Sequence, residues 1–322
     1  MIARYSIAFF VSVAFIILPI VLFLICRRLL PKRYGRQVGI LLGASIVALA
    51  SYGMFWGFEE LEVHQVEYAS TDLPEAFDGY RIVHFSDAHV GTYEGRRAPL
   101  LQRMVDSINA QHADIILFTG DLQNLRPGEL ADKVGVLKQL HARDGVYSVL
   151  GNHDYATYLD LDEAGQERNN RQTCELERKM GWTLLLNEHR IVRRDSDSIV
   201  IAGMENWGKV KRMPRRGDVA KALAGLPGGQ HRFTIMLQHD PSAWREKILP
   251  ECDAQLTLSG HTHGGQFSMF GWSPVSLSNK EWGGMTTEGE RAVYVSTGVG
   301  GLIPFRLGMP GEIAVITLKK KK

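Results

Sequence analysis

Two long apolar runs open the chain and set its first 60 residues apart from the rest. Residues 6–26 and 38–58 contain no charged side chain, and each run of about 20 residues is long enough for a helix to cross a hydrocarbon core of about 30 Å. A cleaved signal peptide is the alternative for the first run, but its apolar core is too long and no small-residue cleavage site follows. The pattern therefore predicts a hairpin of two membrane helices over residues 1–60.

From Tyr80 onward, short β-branched runs alternate with amphipathic helical stretches. Strand patterns are found at residues 81–86, 114–119, 146–150, 198–202, 234–237, 255–258, 292–295 and 313–318. The apolar residues between the first two strands share one helical face: Leu100, Leu101, Met104, Val105 and Ile108. This alternation predicts an α/β domain over residues 80–322, with residues 61–79 as a connector to the hairpin.

Basic residues concentrate in the membrane segment. Residues 1–58 contain six of them and no acid, which leaves 31 basic against 35 acidic residues in 59–322. A basic loop at 27–36 separates the two apolar runs, and Glu59, Glu60 and Glu62 follow the second run. The positive-inside rule places this loop in the cytoplasm and the large domain on the opposite side of the membrane. We therefore expect a multi-pass protein of the cell membrane with an extracytoplasmic domain.

Charge and cysteine content narrow the possible partners. The mildly acidic domain argues against nucleic acid, because binding to a phosphate backbone needs clustered positive charge. Cys26, Cys174 and Cys252 lack Cys-x-x-Cys spacing and indicate no disulfide framework. The sequence does not indicate an oligomeric state.

Polar residues of the kinds that bind metals follow five of the predicted strands. The motifs are Ser86-Asp87-Ala88-His89, Gly120-Asp121, Gly151-Asn152-His153-Asp154, Gln238-His239-Asp240 and Gly260-His261-Thr262-His263. Each motif alone is weak evidence, since a His after a strand or an Asp after a Gly is usually structural. Loops converge at the carboxyl ends of strands in α/β sheets, so the five motifs together predict a mixed nitrogen and oxygen metal site.

Seven side chains in these motifs are candidate ligands: Asp87, His89, Asp121, Asn152, His239, His261 and His263. One ion rarely takes seven donors that include imidazoles, so two divalent ions sharing a carboxylate is the economical arrangement. Four His, two Asp and one Asn suit manganese, iron or zinc better than calcium or magnesium. Manganese is the first choice.

In this order, the motifs resemble those of the calcineurin-like metallophosphoesterase superfamily, and the likeness extends from about residue 80 to residue 318. The strings at 260–266 and 296–306 are similar to its bacterial membrane-associated branch. The resemblance implies a fold of two packed mixed β-sheets flanked by helices. It also implies two metal sites bridged by Asp121, one on Asp87, His89, Asp121 and His263 and the other on Asp121, Asn152, His239 and His261.

The implied reaction is hydrolysis of a phosphodiester, pyrophosphate or phosphomonoester bond. Two cations hold a shared water, lower its pKa and neutralise the charge that develops on the phosphoryl oxygens. His153 is not needed as a ligand, so we assign it to stabilising those oxygens or protonating the leaving group. Asp154 is expected to orient that imidazole, with a plain turn residue as the alternative.

The membrane hairpin makes an envelope or lipid-linked phosphorylated substrate attractive, on location alone. The competing hypothesis is a non-catalytic metal-binding scaffold at the membrane, whose relatives are expected to lose ligands or the His of the Gly-Asn-His motif. This chain keeps all of them, which favours a binuclear metallophosphoesterase. Arg306 is the most apt further residue for a substrate phosphate, with Tyr155 and Gln266 as other candidates.

Overall fold

The computed structural model of the chain describes residues 8–226 and 232–321. Its first two helices, α1 (Ala8–Leu29) and α2 (Lys32–Phe55), form the predicted hairpin. The first two residues of the predicted run 6–26 lie outside the described part. Both helices are long and apolar enough to cross a membrane.

Small residues bring the two helices into close contact. Gly35, Gly39 and Gly43 recur every four residues along α2 and are buried against α1. A Cβ on Gly39 would lie 3.0 Å from the Cα of Phe23, so a larger residue there requires α1 to move. Membrane helices commonly associate through such small residues, because lipid gives them no hydrophobic driving force.

Two packed sheets form the domain, as the resemblance implied. The strands in the described residues are β1 (Leu61–Ser70), β2 (Arg81–Phe85), β3 (Ile115–Phe118), β4 (Val146–Ser148), β5 (Thr183–Leu184), β6 (Glu188–Arg194), β7 (Asp197–Gly203), β8 (Thr234–Leu237), β9 (Leu256–Ser259), β10 (Gly284–Glu288), β11 (Arg291–Val295) and β12 (Gly311–Lys320). The first sheet has the order β1-β12-β2-β3-β4-β5, and the second has the order β10-β11-β9-β8-β7-β6. Both sheets are mixed: β12 is antiparallel to β2, and the edge strands β6 and β10 are antiparallel to their neighbours.

Helices cover the outer faces of the sheets, and apolar side chains fill the space between the sheets. The further helices are α3 (Ala98–Asn109), α4 (Val134–Leu137), α5 (Glu163–Lys179), α6 (Val219–Ala222) and α7 (Leu249–Glu251). The predicted apolar face of α3 is confirmed, since Leu101, Met104, Val105 and Ile108 are buried in one cluster with the first sheet. Ile82, Leu117, Ile235 and Leu258 belong to the core between the sheets.

Residues 61–79 are part of the domain and not a connector. Strand β1 pairs in parallel with β12 over its whole length, from Leu61 opposite Gly311 to Ser70 opposite Lys320. Leu73 and Phe77 follow it and are fully buried between the sheets. The hydrophobic pattern did not reveal β1 because its exposed face is polar and its partner strand, β12, lies at the far end of the chain.

Replacing Phe77 by Ala tests whether this stretch is core. We expect Phe77→Ala to lower the free energy of unfolding by about 3–5 kcal/mol, the usual cost of removing a buried phenyl ring. Thermal unfolding of the detergent-purified chain measures the effect. Glu75→Ala, at an exposed position two residues away, is the control and should change stability little. A chain unaffected by Phe77→Ala would mean that 61–79 is dispensable.

Candidate metal centre

The predicted ligands meet where the two sheets face each other. Asp87 and His89 follow β2, Asp121 follows β3, Asn152 follows β4, His239 follows β8, and His261 and His263 follow β9. The backbone N–H of His261 donates to Asp87 Oδ2 over 2.9 Å, which ties the loop after β9 in the second sheet to the loop after β2 in the first. The carboxyl ends of strands from both sheets therefore build one cluster.

Asp121 lies at the centre of the cluster. Its Oδ2 is 3.2 Å from His239 Nε2 and 3.7 Å from His89 Nε2. On one side, His263 Nε2 is 3.3 Å from Asp87 Oδ1, and on the other, His239 Nε2 is 3.1 Å from Asn152 Oδ1. A shared carboxylate with imidazoles on both sides is the arrangement predicted for two neighbouring ions.

The structure contains three groups of side chains, and within each group the potential ligand atoms all lie within 4.8 Å of one another. They are Asp87 with His89 and His263, Asp121 with His239 and His261, and His89 with Asp121 and His153. The first two groups match the two predicted ligand sets apart from Asn152 and the sharing of Asp121. The third group brings His153 to the same cluster.

The chemistry of the donors fits divalent metal ions. Both ring nitrogens of His89 are buried and have no hydrogen-bond partner among the described residues. Burial lowers the pKa of His89 well below its usual value and that of His263 to about 4, so both rings are neutral, the form that ligates metals. Burial opposes charge on His239 as well, but Asp121 raises its pKa to about 10. A cation beside Asp121 would replace that proton.

Backbone strain concentrates at the predicted ligands. Asp87, His89, Asp121, His261 and His263 all have positive φ, between 45° and 73°. L-residues rarely adopt this left-handed conformation, and it persists only where the surroundings enforce it. The fold therefore holds five of the seven predicted ligands in conformations that an unconstrained loop would leave.

Glycines make room for the carboxylates. A Cβ on Gly151 would collide with the side chain of Asp121, and a Cβ on Gly260 would collide with that of Asp87. Gly151 of the Gly-Asn-His-Asp motif thus allows its loop to approach Asp121, and Gly260 of the Gly-His-x-His motif allows its loop to approach Asp87.

His153 lies beside the ligands, as expected, and its ring has three neighbours. Its Nδ1 is 2.5 Å from the carbonyl oxygen of Asn124, its ring stacks on Tyr158 at 4.4 Å, and it meets His89 edge-on at 4.8 Å. Its backbone N–H donates to Asp121 Oδ1 over 2.8 Å. Sequence motifs did not indicate Tyr158, whose hydroxyl also accepts from Asn152 Nδ2 over 2.9 Å.

A family model described as calcineurin-like phosphoesterase matches residues 80–265. The chain belongs to this family. The match runs from the start of β2 to the last two predicted histidine ligands and beyond, so the resemblance and the two-sheet fold are confirmed. The domain is accordingly that of a hydrolase acting on phosphoester bonds, in a family that uses divalent metals.

Several curated relatives share most of the chain. A transmembrane protein with metallophosphoesterase domain from Danio rerio is 35% identical over 84% of this chain, which covers 60% of that protein's length. The uncharacterized metallophosphoesterase YkuE of Bacillus subtilis is 29% identical over 87% of this chain and 94% of its own. The UDP-2,3-diacylglucosamine pyrophosphatase LpxG of Chlamydia trachomatis is 27% identical over 76% of this chain and 86% of its own. The transmembrane relatives and the two apolar helices indicate that this metallophosphoesterase is membrane-associated.

Asp154 does not have the role predicted for it. Its buried carboxylate accepts four backbone N–H bonds of 2.8 to 3.3 Å, from Gly151, Asp121, Leu122 and Gln123. The imidazole of His153 instead meets the carbonyl oxygen of Asn124. Asp154 therefore fixes the backbone that carries Asp121, and the sequence could not show this because the partners are main-chain groups.

Arg306 also differs from its prediction. Its guanidinium is 1% exposed and donates to five carbonyl oxygens, those of Thr297, Gly298, Gly300, Met309 and Pro310. A substrate phosphate has no access to a group so enclosed. Gln266 and Tyr155 are likewise engaged, with the carbonyls of Ile303 and Phe305 and with Glu205.

Asp154→Asn tests the positioning role of this carboxylate. An amide places N–H groups against some of the four backbone donors, so the loop of Asp121 should shift and metal affinity should fall about 10- to 100-fold. Chelator competition with the purified chain measures the affinity. Asp160→Asn, at a nearby exposed position, is the control. Unchanged metal affinity in Asp154→Asn would contradict the role.

Arg306→Lys separates a structural arginine from a phosphate-binding one. Lysine cannot reach five carbonyls, so we expect the free energy of unfolding to fall by roughly 3 kcal/mol, since buried acceptors lose charged donors. Thermal unfolding is compared with Arg190→Lys, which changes an exposed ion pair with Glu188. A raised KM for a phosphodiester at unchanged stability would restore the substrate role.

Proposed function

We propose that this chain is a binuclear metallophosphoesterase of the cell membrane that hydrolyses a phosphodiester, pyrophosphate or phosphomonoester bond of an envelope or lipid-linked substrate. The observation that carries the proposal is the shared position of Asp121, whose Oδ2 faces His239 at 3.2 Å and His89 at 3.7 Å. A single buried carboxylate between two groups of imidazoles suits a pair of ions better than one ion.

The proposed ligand sets are those implied by the sequence motifs, and the clustering of the side chains supports them. Asp87, His89, Asp121 and His263 would hold one ion, and Asp121, Asn152, His239 and His261 would hold the other. Bound divalent ions supply an activated water and neutralise the charge that develops on the phosphoryl oxygens. Manganese is the first candidate, with iron or zinc as alternatives.

His153 is the proposed catalytic residue outside the ligand sets. Because its Nδ1 donates to the Asn124 carbonyl oxygen, Nε2 is the ring atom left for a substrate. In the imidazolium form, Nε2–H donates to a phosphoryl oxygen or passes its proton to the leaving oxygen. Stacking on Tyr158 keeps the ring in that orientation.

A polar cavity gives the substrate's headgroup a place beside the proposed ions. It has a volume of about 360 Å³, opens next to His261 and Asp240, and is also lined by Lys209, Arg245 and Lys280. Glu246 and Glu281 line it as well and form ion pairs with Lys209 and Arg245, so the lining has mixed charge and suits a polar headgroup. The cavity is large enough for a group of sugar or nucleotide size.

The substrate class rests on location and on one relative. The relative LpxG is named as a pyrophosphatase of UDP-2,3-diacylglucosamine, a substrate with an acylated part and a pyrophosphate. The membrane hairpin would bring this chain to substrates of comparable amphiphilic character. The basic loop 27–36 supports an extracytoplasmic domain through the positive-inside rule.

Metal removal and add-back with bis-p-nitrophenyl phosphate test the proposal on the full-length chain in detergent. We expect no turnover after stripping, recovery with Mn²⁺, Fe²⁺ or Zn²⁺, and loss of both activity and metal in Asp121→Ala. His153→Ala should keep its metal and lose roughly 10²- to 10⁴-fold in kcat, the usual contribution of general acid catalysis. His141→Ala, at an exposed position, is the control.

The outcomes of this experiment distinguish a phosphoesterase from a non-catalytic metal-binding scaffold. Metal-dependent turnover that is lost in both site variants supports the phosphoesterase, and comparison with p-nitrophenyl phosphate gives the diester or monoester preference. Two bound ions per chain without turnover of soluble or lipid phosphoesters would overturn the proposal in favour of the scaffold.

A further inference from the structure

The segment that follows the last histidine ligand exposes large apolar side chains. We call residues 267–277 the apolar loop. Met269, Phe270, Trp272 and Leu277 are exposed there to 55%, 99%, 49% and 80%. Backbone hydrogen bonds in both directions between Met269 and Trp272 close the tip of the loop and hold Phe270 outward. A water-exposed tip of this composition is unusual, because apolar side chains gain free energy by leaving water.

The apolar loop is connected to the membrane hairpin through residues 303–308. Its Ser268 N–H donates to the Leu307 carbonyl oxygen over 2.9 Å. The ring of Phe305 packs on that of Phe10 in α1 with centroids 4.7 Å apart, and the Arg306 N–H donates to the Gly53 carbonyl oxygen of α2 over 3.0 Å. The loop therefore has a fixed position beside both helices.

A cavity of about 440 Å³ lies between the hairpin and these loops. Ala14, Leu18, Ile46 and Leu49 line it from the helices, and Phe267 and Met269 line it from the apolar loop. Apolar side chains dominate the lining. The chemistry of the cavity therefore matches a hydrocarbon chain and not a polar headgroup.

The position of the cavity along α2 places it at the depth of one leaflet. Gly57 marks the junction with the domain, where a Cβ would collide with the Arg306 carbonyl oxygen. Ile46 lies eleven residues earlier in the sequence, which is about 16 Å along a helix at about 1.5 Å per residue. One leaflet of a hydrocarbon core of about 30 Å has nearly this thickness. In a membrane-spanning α2, the cavity and Met269, which lines it, thus lie at the depth of acyl chains.

We propose that the apolar loop inserts into the leaflet on the domain's side of the membrane, and that the cavity binds an acyl chain of the substrate lipid. The ligand segment 261–263 is separated from this loop by only three residues, so a lipid held by its chain presents its phosphorus-containing headgroup towards the metal centre. The substrate class is an amphiphile with a phosphate ester or pyrophosphate next to its acyl part. This inference rests on the proposed function for the substrate, whereas loop insertion does not depend on it.

Insertion of the loop is tested by fluorescence quenching in nanodiscs. Phospholipids brominated near the headgroup end of the acyl chain should quench the wild-type chain more than Trp272→Phe, by a difference that corresponds to one tryptophan. Equal quenching of the two proteins would overturn insertion. Insertion would also be overturned by a concentration-dependent dimer that shields Trp272 from the brominated lipid.

Binding of the acyl chain is tested with a phosphatidylglycerol that carries a pyrene-labelled chain. Energy transfer from tryptophan to pyrene gives its Kd for the detergent-purified chain. Ala14→Phe fills the cavity and should weaken binding at least about tenfold. Ala48→Phe, at an exposed position of α2, is the matched control and should leave it unchanged. Equal Kd values would overturn the assignment of the cavity.

Turnover separates this inference from the proposed function. Phe270→Asp should lower kcat/KM for a phospholipid diester in nanodiscs by about tenfold or more while turnover of bis-p-nitrophenyl phosphate stays at the wild-type level. Leu161→Asp, an exposed apolar position outside the apolar loop, is the control. Parallel loss on both substrates would overturn the lipid role. A wild-type chain inactive on both would overturn the proposed function, and the quenching and binding results would still decide the inference.

Discussion

The buried carboxylate of Asp121 is the group on which the rest of the site depends. It is 1% exposed, and a buried charge is costly unless it is paired and hydrogen-bonded. Burial alone would raise its pKa, but His239 and His153 hold that pKa well below its usual range. A second buried carboxylate, Asp154, lies behind it, where burial and Asp121 raise the pKa of Asp154 to about 7. The charge of Asp121 held out of water in this way favours cations beside its carboxylate.

The strained backbone at the predicted ligands shows that the two sheets hold these side chains in place. Asp87 and Asp121 both adopt left-handed φ, and each lies within three residues of the end of a strand that is buried on both faces. The rigid strand ends and the close-fitting Gly151 and Gly260 leave these side chains few other positions. Preorganisation of this kind places ligands before a metal arrives, so binding does not have to order the loops.

The sequence predicted the central strands and the side chains that gather at their ends well, and it predicted edge strands and supporting residues poorly. All eight predicted strands are present, and the four that the pattern missed, β1, β5, β6 and β10, are the edges of the two sheets. Edge strands expose one face and are short or polar, so they lack the apolar runs that mark β2 or β8. The candidate ligands were predictable because each lies within four residues of the end of a central strand. The supporting roles of Asp154 and Arg306 were not, because their partners are backbone groups that carry no residue-type signal.

Arg306 also connects the helical hairpin to the candidate metal centre through hydrogen bonds. Its backbone N–H binds the carbonyl oxygen of Gly53 near the end of α2, and its guanidinium holds the carbonyls of Gly298 and Gly300. The N–H of Gly300 in turn donates to the carbonyl oxygen of Asp87 over 3.0 Å. One arginine thus connects the end of α2 to Asp87, a predicted metal ligand, through two short steps. Because such a connection restricts rotation of the domain relative to the two helices, the mouth of the candidate metal centre keeps a fixed direction relative to the hairpin, which a free tether would not provide.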